Sequence, residues 1–194
     1  MNFSPETEIE NGIFKTSIEG LYYIERSVHQ DNRGYFSEVA RIPELDAITG
    51  NQFVVKQINH ARSDKNVARG IHAEGWNKYI FITAGSCFCA LADLRKDSPT
   101  FKKVETFQMG VAGLSGSLFV PIGVGNSYVV TEGPMDYVYF VDRLYKDRDK
   151  SGDAAISLFD PDLNIDWPIA KEKMIFSERD RNSINISSYF SSAR

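Results

Sequence analysis

Cysteine is almost missing from this sequence: Cys87 and Cys89 are the only two in 194 residues. One residue apart on an extended chain, they point to the same face, and such neighbours make a poor disulfide. No further Cys completes a zinc knuckle. The pair reads as small buried hydrophobes, and free thiols fit a reducing cytoplasm. Histidine is nearly as scarce, with His29, His60 and His72 alone. Positive charge is not in excess either. The 22 Lys and Arg face 26 Asp and Glu, for a net charge of −4, and the basic residues are spread along the chain. That balance argues against a nucleic-acid partner. A local basic pocket for a small anionic substrate remains compatible with it. No apolar run approaches the ~20 residues of a membrane-spanning helix. The start, MNFSPETEIENG, has no basic or apolar signal region, so no signal peptide is expected.

What is present is mostly period two. LYYIERSV (21–28), YFSEVAR (35–41), QFVVKQI (52–58), KYIFITAG (78–85), CFCALADL (87–94), VETFQM (104–109), SLFVP (117–121), SYVVT (127–131) and DYVYFVD (136–142) read as strands. They are short, rich in aromatic and β-branched residues, and bounded by Gly, Asn, Asp or Pro. PELDAI (43–48) reads as one or two helical turns with Pro43 near the start. A short helix is expected after about Lys171. Many short strands with regular turn signals predict an all-β chain, here a double-sheet jelly roll with a few short helices. The length suits one domain over 1–194, with the polar residues 1–12 expected to be loose.

Metal chemistry is poorly provided for. A metal-binding β-barrel of the cupin type needs a His-x-His pair, a Glu and a further His. This chain has no His-x-His, and the stretch after Pro121 reads PIGVGNSYVV, with Asn126 where a last ligand would fall. No metal is expected. The stretch ARGIHAEGWNKYIF (68–81) nonetheless gathers Arg69, His72 and Lys78 beside an apparent buried strand. A histidine there is either a hydrogen-bonded strand-end residue or a general base. The second role needs a cavity, a partner that fixes the tautomer, and a proton donor elsewhere. Tyr137, Tyr139 and Val141 share a strand face, so Tyr139 is a candidate donor, unless it is simply an aromatic core residue.

Six motifs then occur in order: DNRGYFSE (31–38), QINHARSDKNVARGIH (57–72), DLRKDSPTF (93–101), VPIGVGNSY (120–128), FDPDLNIDWP (159–168) and FSERD (176–180). Together they resemble the dTDP-4-dehydrorhamnose 3,5-epimerase family, over about residues 20–182. The HAEGWNKY stretch is similar to a branch with a Trp before the lysine. The resemblance implies a metal-free cupin jelly roll, a cytoplasmic homodimer without cofactor, acting on a nucleotide-diphospho-sugar in cell-surface polysaccharide synthesis. The substrate would be a nucleotide-linked 4-keto-6-deoxyhexose. It implies His72 as the base beside the ketone and Asp180 as the carboxylate bracing it. Tyr139 would be the acid on the opposite sugar face. A phenol suits that task because its ordinary pKa near 10 keeps it protonated at neutral pH. Lys78 would sit near the keto oxygen and favour the enolate. Arg33, Glu38, Gln57, Asn59, Arg69 and Arg179 would hold nucleotide and diphosphate, a role the arginine fork suits. Taken alone, Arg33 and Arg179 read as surface ion-pair residues.

Two positions depart from the family pattern. Asn126 stands where most members carry a second active-site histidine. It donates a hydrogen bond but carries no charge. Leu144 replaces a base-stacking tyrosine, which leaves dTDP, GDP and CDP open as the nucleotide. Inversion at C3, C5 or both, 3,4-ketoisomerisation, and non-catalytic nucleotide-sugar binding are the alternatives.

Overall fold

The longest apolar alternations of the sequence become the two longest strands. The computed structural model describes residues 7–10, 12–147 and 153–192. Its strands are β1 (Glu8–Glu10), β2 (Ile13–Lys15), β3 (Tyr22–Ile24), β4 (Val28–Asp31), β5 (Gly34–Ser37), β6 (Gln57–Ser63), β7 (Ala68–Ala73), β8 (Lys78–Asp93), β9 (Val104–Gly110), β10 (Ser117–Val120), β11 (Val124–Val141) and β12 (Ala154–Ala155). The helices are α1 (Ile42–Thr49), α2 (Glu178–Arg181) and α3 (Ile186–Ser192), with a 3-10 turn at Lys171–Lys173. Of the first dozen residues, 1–6 and 11 lie outside the described residues, and β1 is a short exposed strand paired with β2.

KYIFITAG and CFCALADL, read above as two strands, are one. Gly85 lies between them at φ +71, and a Cβ there would meet the Glu132 carbonyl oxygen at 2.6 Å. A glycine lets β8 bend there without leaving the sheet. SYVVT and DYVYFVD likewise fuse into β11, whose bulges between Val130 and Tyr137 match the bend.

These two bent strands pair antiparallel along most of their length and serve both layers of the jelly roll. The first half of β8 pairs with β10 and the second with β9, while β11 pairs with β7 early and β6 late. One layer is thus β1-β2-β3-β10-β8-β11-β6, and the other is β9-β8-β11-β7-β12. Between them lies a core that includes Tyr23, Leu91, Phe107, Met109, Leu118 and Tyr137. Cys87 and Cys89 lie in it as free thiols with sulfurs 3.5 Å apart. The outer face of the first layer packs Tyr79, Phe81 and Phe119 against Leu45 of α1. The second layer's outer face, with Ile71 and Val129, is covered by the C-terminal segment through Leu158, Leu163, Met174 and Ile186.

Strands β6 and β7 escaped the sequence reading for a physical reason. Along β6 the less exposed positions are Gln57, Asn59, Ala61 and Ser63, while Ile58 faces solvent. The alternation is there, but polar residues occupy its buried phase. The expected strand at 52–58 mostly precedes β6: residues 52–56 are irregular and feed it.

The turn after β8 is built on Asp93, whose side chain is fully buried. Arg95 donates to it through Nε at 2.8 Å and Nη2 at 2.7 Å, and the Ser98 and Thr100 hydroxyls each donate at 2.6 Å. Burial pushes this carboxyl up, but those donors outweigh it and bring its pKa down to about 2. A depressed carboxylate pKa stabilises the fold above its unfolded value, near 4, and that contribution fades as pH falls towards 2. Asp93→Asn should therefore lower the unfolding free energy at pH 7 by about 3 kcal/mol. The deficit should shrink below about pH 3 in denaturant titrations.

Candidate active site

The cluster forms where β7, β8, β11 and β6 meet, with α2 closing one side. Gly70 sets the key side chain. It sits at φ +121, and a Cβ there would lie 2.3 Å from that of Ser127, so nothing larger than glycine fits. The β7–β11 register shifts here, pairing Asn126 with His72 but Tyr128 with Arg69. Ile71 then faces the outer core while His72 takes the opposite face.

His72 Nε2 lies 2.6 Å from Asp180 Oδ1, and their side chains are 20% and 2% exposed. An ionised carboxylate only accepts, so Nε2 carries the proton and Nδ1 is left to accept one. Asp180 is itself held. Ser177, the N-cap of α2, donates from Oγ to Asp180 Oδ2 at 2.8 Å and accepts from the Asp180 backbone N–H at 3.1 Å. Burial pushes the Asp180 carboxyl up, but the hydrogen bond and charge of His72, with Ser177 and Arg179, pull it below its ordinary value. It stays an anion.

Tyr139 lies on β11, half-buried, packed on the inner core. The Lys78 ammonium sits 5.9 Å from its ring centre, and the Tyr137 ring lies 5.8 Å away, edge-on. Lys78 is ion-paired with Glu74, and both side chains are mostly buried. Asn126 stands in register with His72 and accepts from the Tyr137 hydroxyl at 3.1 Å. Tyr137 stacks on Tyr128 at 4.8 Å; Tyr128 contacts Ser63 Oγ at 3.2 Å, and Arg69 Nε donates to that oxygen at 3.2 Å. Gln57 donates to Asn59 Oδ1 at 2.6 Å and accepts from the Tyr145 backbone N–H at 2.8 Å. Asn59, opposite Tyr139, keeps a buried Nδ2 donor without an acceptor. Trp76 is buried against Tyr145, with ring centres 6.1 Å apart.

Of the residues singled out from sequence, His72, Asp180, Lys78, Tyr139 and Asn126 fall into this connected set. Gln57, Asn59 and Arg69 line its β6–β7 side, and exposed Arg179 neighbours Asp180 on α2. Arg33 and Glu38 do not join it. Arg33 is 85% exposed on the β4–β5 hairpin and pairs with Asp31 at 2.6 Å, while Glu38 pairs with Arg41. Within one chain Arg33 thus makes the surface ion pair that its local sequence suggests. Sequence reasoning missed Ser177, Glu74 and the Tyr137–Asn126 contact. The Ser-x-x-Asp spacing of a helix cap was a usable signal for Ser177. Among the described residues, no group of three or more His, Cys, Asp or Glu is placed to hold a metal ion. No helix among them is long and apolar enough to cross a membrane.

Residues 15–188 match the family model for dTDP-4-dehydrorhamnose 3,5-epimerase. The protein of that name from Methanothermobacter thermautotrophicus is 31% identical over 172 residues, spanning 87% of this chain and 90% of its own. A dTDP-4-dehydro-6-deoxyglucose 3-epimerase from a Streptomyces species is 31% identical over 172 residues, 86% and 85% of the two chains. RmlC from Streptococcus suis, solved in complex with dTDP-D-xylose, superposes with a TM-score of 0.79 at 31% identity, over 96% of this chain and 95% of that one. With a match that spans β3 to β12 and the His72–Asp180 pair, this chain is an isomerase and belongs to the dTDP-4-dehydrorhamnose 3,5-epimerase family.

Proposed function

We propose that the cluster epimerises a dTDP-linked 4-keto-6-deoxyhexose by a proton-out, proton-in route through an enolate. The observation that carries this reading is the buried His72–Asp180 contact of 2.6 Å, joined through β11 to the Tyr139–Lys78 pair. His72 Nδ1 takes the proton from the carbon beside the ketone. The C–H electron pair becomes the C=C bond of the enolate, and the carbonyl pair moves onto the C4 oxygen. Asp180 stabilises the imidazolium so formed. Lys78 and Asn126 donate to the oxyanion, an interaction stronger with the enolate than with the ketone. The Tyr139 phenol then delivers a proton to the other face, and its phenolate and the imidazolium exchange protons with solvent to reset the site. Repetition on the other carbon flanking the ketone gives the double inversion.

The nucleotide reading rests on Arg69, Arg179, Gln57 and Asn59. The orphaned Nδ2 of Asn59 is a donor that a bound acceptor would satisfy. The relative from Streptococcus suis, solved with dTDP-D-xylose, favours thymidine over GDP or CDP. Arg33 and Glu38 enter this account through a second copy of the chain. The β4–β5 hairpin is a separate two-stranded sheet with Tyr35 and Phe36, one on each of its faces, each 64% exposed, apolar surface that a homodimer gripping the hairpin would cover. Such a dimer would carry Arg33 to the nucleotide in the partner's site.

Incubation with dTDP-4-keto-6-deoxyglucose in deuterated water, followed by NMR, should place deuterium at C3 and C5. Label at one carbon alone would reduce the reading to a mono-epimerase, and no label would sink it. His72→Ala should slow exchange by at least about a thousandfold. Tyr139→Phe should keep exchange yet lose inversion by about a hundredfold or more; normal inversion would remove Tyr139 from its role. The double variant Tyr35→Ser with Phe36→Ser should shift sedimentation from dimer to monomer and raise KM for the nucleotide sugar.

A further inference from the structure

Tyr137 lies two residues before Tyr139, and nothing in the reaction above uses it. It is 3% exposed, and its ring is clamped between Tyr128, stacked at 4.8 Å, and Tyr139, edge-on at 5.8 Å. Its hydroxyl donates to Asn126 Oδ1 at 3.1 Å. Resting on the epimerase reading, we propose that Tyr137 is a positioning residue: its phenol holds the Asn126 oxygen and so presents the Asn126 NH2 group to the keto oxygen of the sugar.

An asparagine amide has two nearly isosteric ends, and half a turn exchanges donor for acceptor. Asn126 is useful to an enolate in one orientation only, with nitrogen towards the substrate. Flipping it would aim a carbonyl oxygen at a developing anion. It would also strand the buried Tyr137 hydrogen, for which Asn126 is the acceptor, and an unmade buried hydrogen bond is costly. Tyr137 thus fixes the useful orientation before substrate arrives, which is the preorganisation that oxyanion stabilisation requires. The register with His72 places the amide beside the base, where the C4 oxygen would lie next to the carbon being deprotonated. Burial pushes the Tyr137 phenol well above its ordinary pKa, reinforced by Cys89, Tyr128 and Cys87, so it remains a donor at every working pH. A neutral amide depends on aim more than a cation would. The nearby cation, Lys78, is already tempered by Glu74.

The test is a mutant cycle read by the initial rate of deuterium incorporation into the sugar over a range of substrate concentrations. Tyr137→Phe should lower kcat by about tenfold while moving KM by about twofold or less. Asn126→Ala should lower kcat similarly, and adding Tyr137→Phe to it should cost nothing more, because the amide is already gone. Asn126→Asp separates aim from packing: it still accepts from Tyr137 but has no NH2, so its kcat should fall at least as far as that of Asn126→Ala. Losses that multiply in the double variant, or an Asn126→Asp protein with wild-type kcat, would overturn the proposal. Melting curves identify a Tyr137→Phe protein that does not fold, in which case Asn126→Asp decides alone. A wild-type protein that exchanges no sugar proton would defeat the reaction itself; an active wild type with independent losses would defeat only the role of Tyr137.

Discussion

The ladder between β8 and β11 is the constraint on which everything else hangs. Both strands bend and both belong to the two layers, so their inner faces run the length of the interior. Lys78 opens β8, and Asn126, Tyr137 and Tyr139 are spread along β11. Because the register of this one pair is fixed, these side chains are fixed relative to one another. The neighbours β6 and β7 dock on β11 and bring the rest: His72 opposite Asn126, and Asn59 opposite Tyr139.

A β-sandwich interior tolerates polar groups only when they are partnered. Most here are. Asp93 takes four side-chain donors, Asp180 takes two, Lys78 has Glu74, and Tyr137 has Asn126. The contrast between the two aspartates is informative. Asp93 saturates itself at a turn and is structural. Asp180 spends one oxygen on its own helix cap and the other on His72, leaving the imidazole with one nitrogen free. Asn59 breaks the rule with a buried donor that has no acceptor, beside the residues that would carry the chemistry.

The strands legible in the sequence were β3, β8, β9, β10 and β11, whose buried phase is apolar, and the exposed β5, which YFSEVAR marks by its aromatic and β-branched residues. The helix at PELDAI was equally plain, with its proline at the start. Strands β6 and β7 were hidden because Gln57, Asn59 and His72 on their inner faces invert the usual signal. Continuity across Gly85 was also hidden, since a glycine before a strand reads equally as a turn or a bend. His72 and Asp180 were found through ordered motifs, because local pattern says nothing about a contact between residues 108 positions apart. Tyr137 was seen as sharing a face with Tyr139, but no pattern revealed its bond to Asn126 on the other half of the same bent strand. Arg33 and Glu38 were legible only as motif members, and one chain alone leaves them on its surface.

The long reach from β7 to α2 sets the order in which the two members of the His72–Asp180 pair are made. During synthesis the imidazole emerges more than a hundred residues ahead of the carboxylate that braces it. Only when the C-terminal segment lies down over Ile71 and Val129 does Ser177 seat Asp180 beneath the ring. The segment that covers the outer layer thereby also supplies the brace of the imidazole, so the two are completed together.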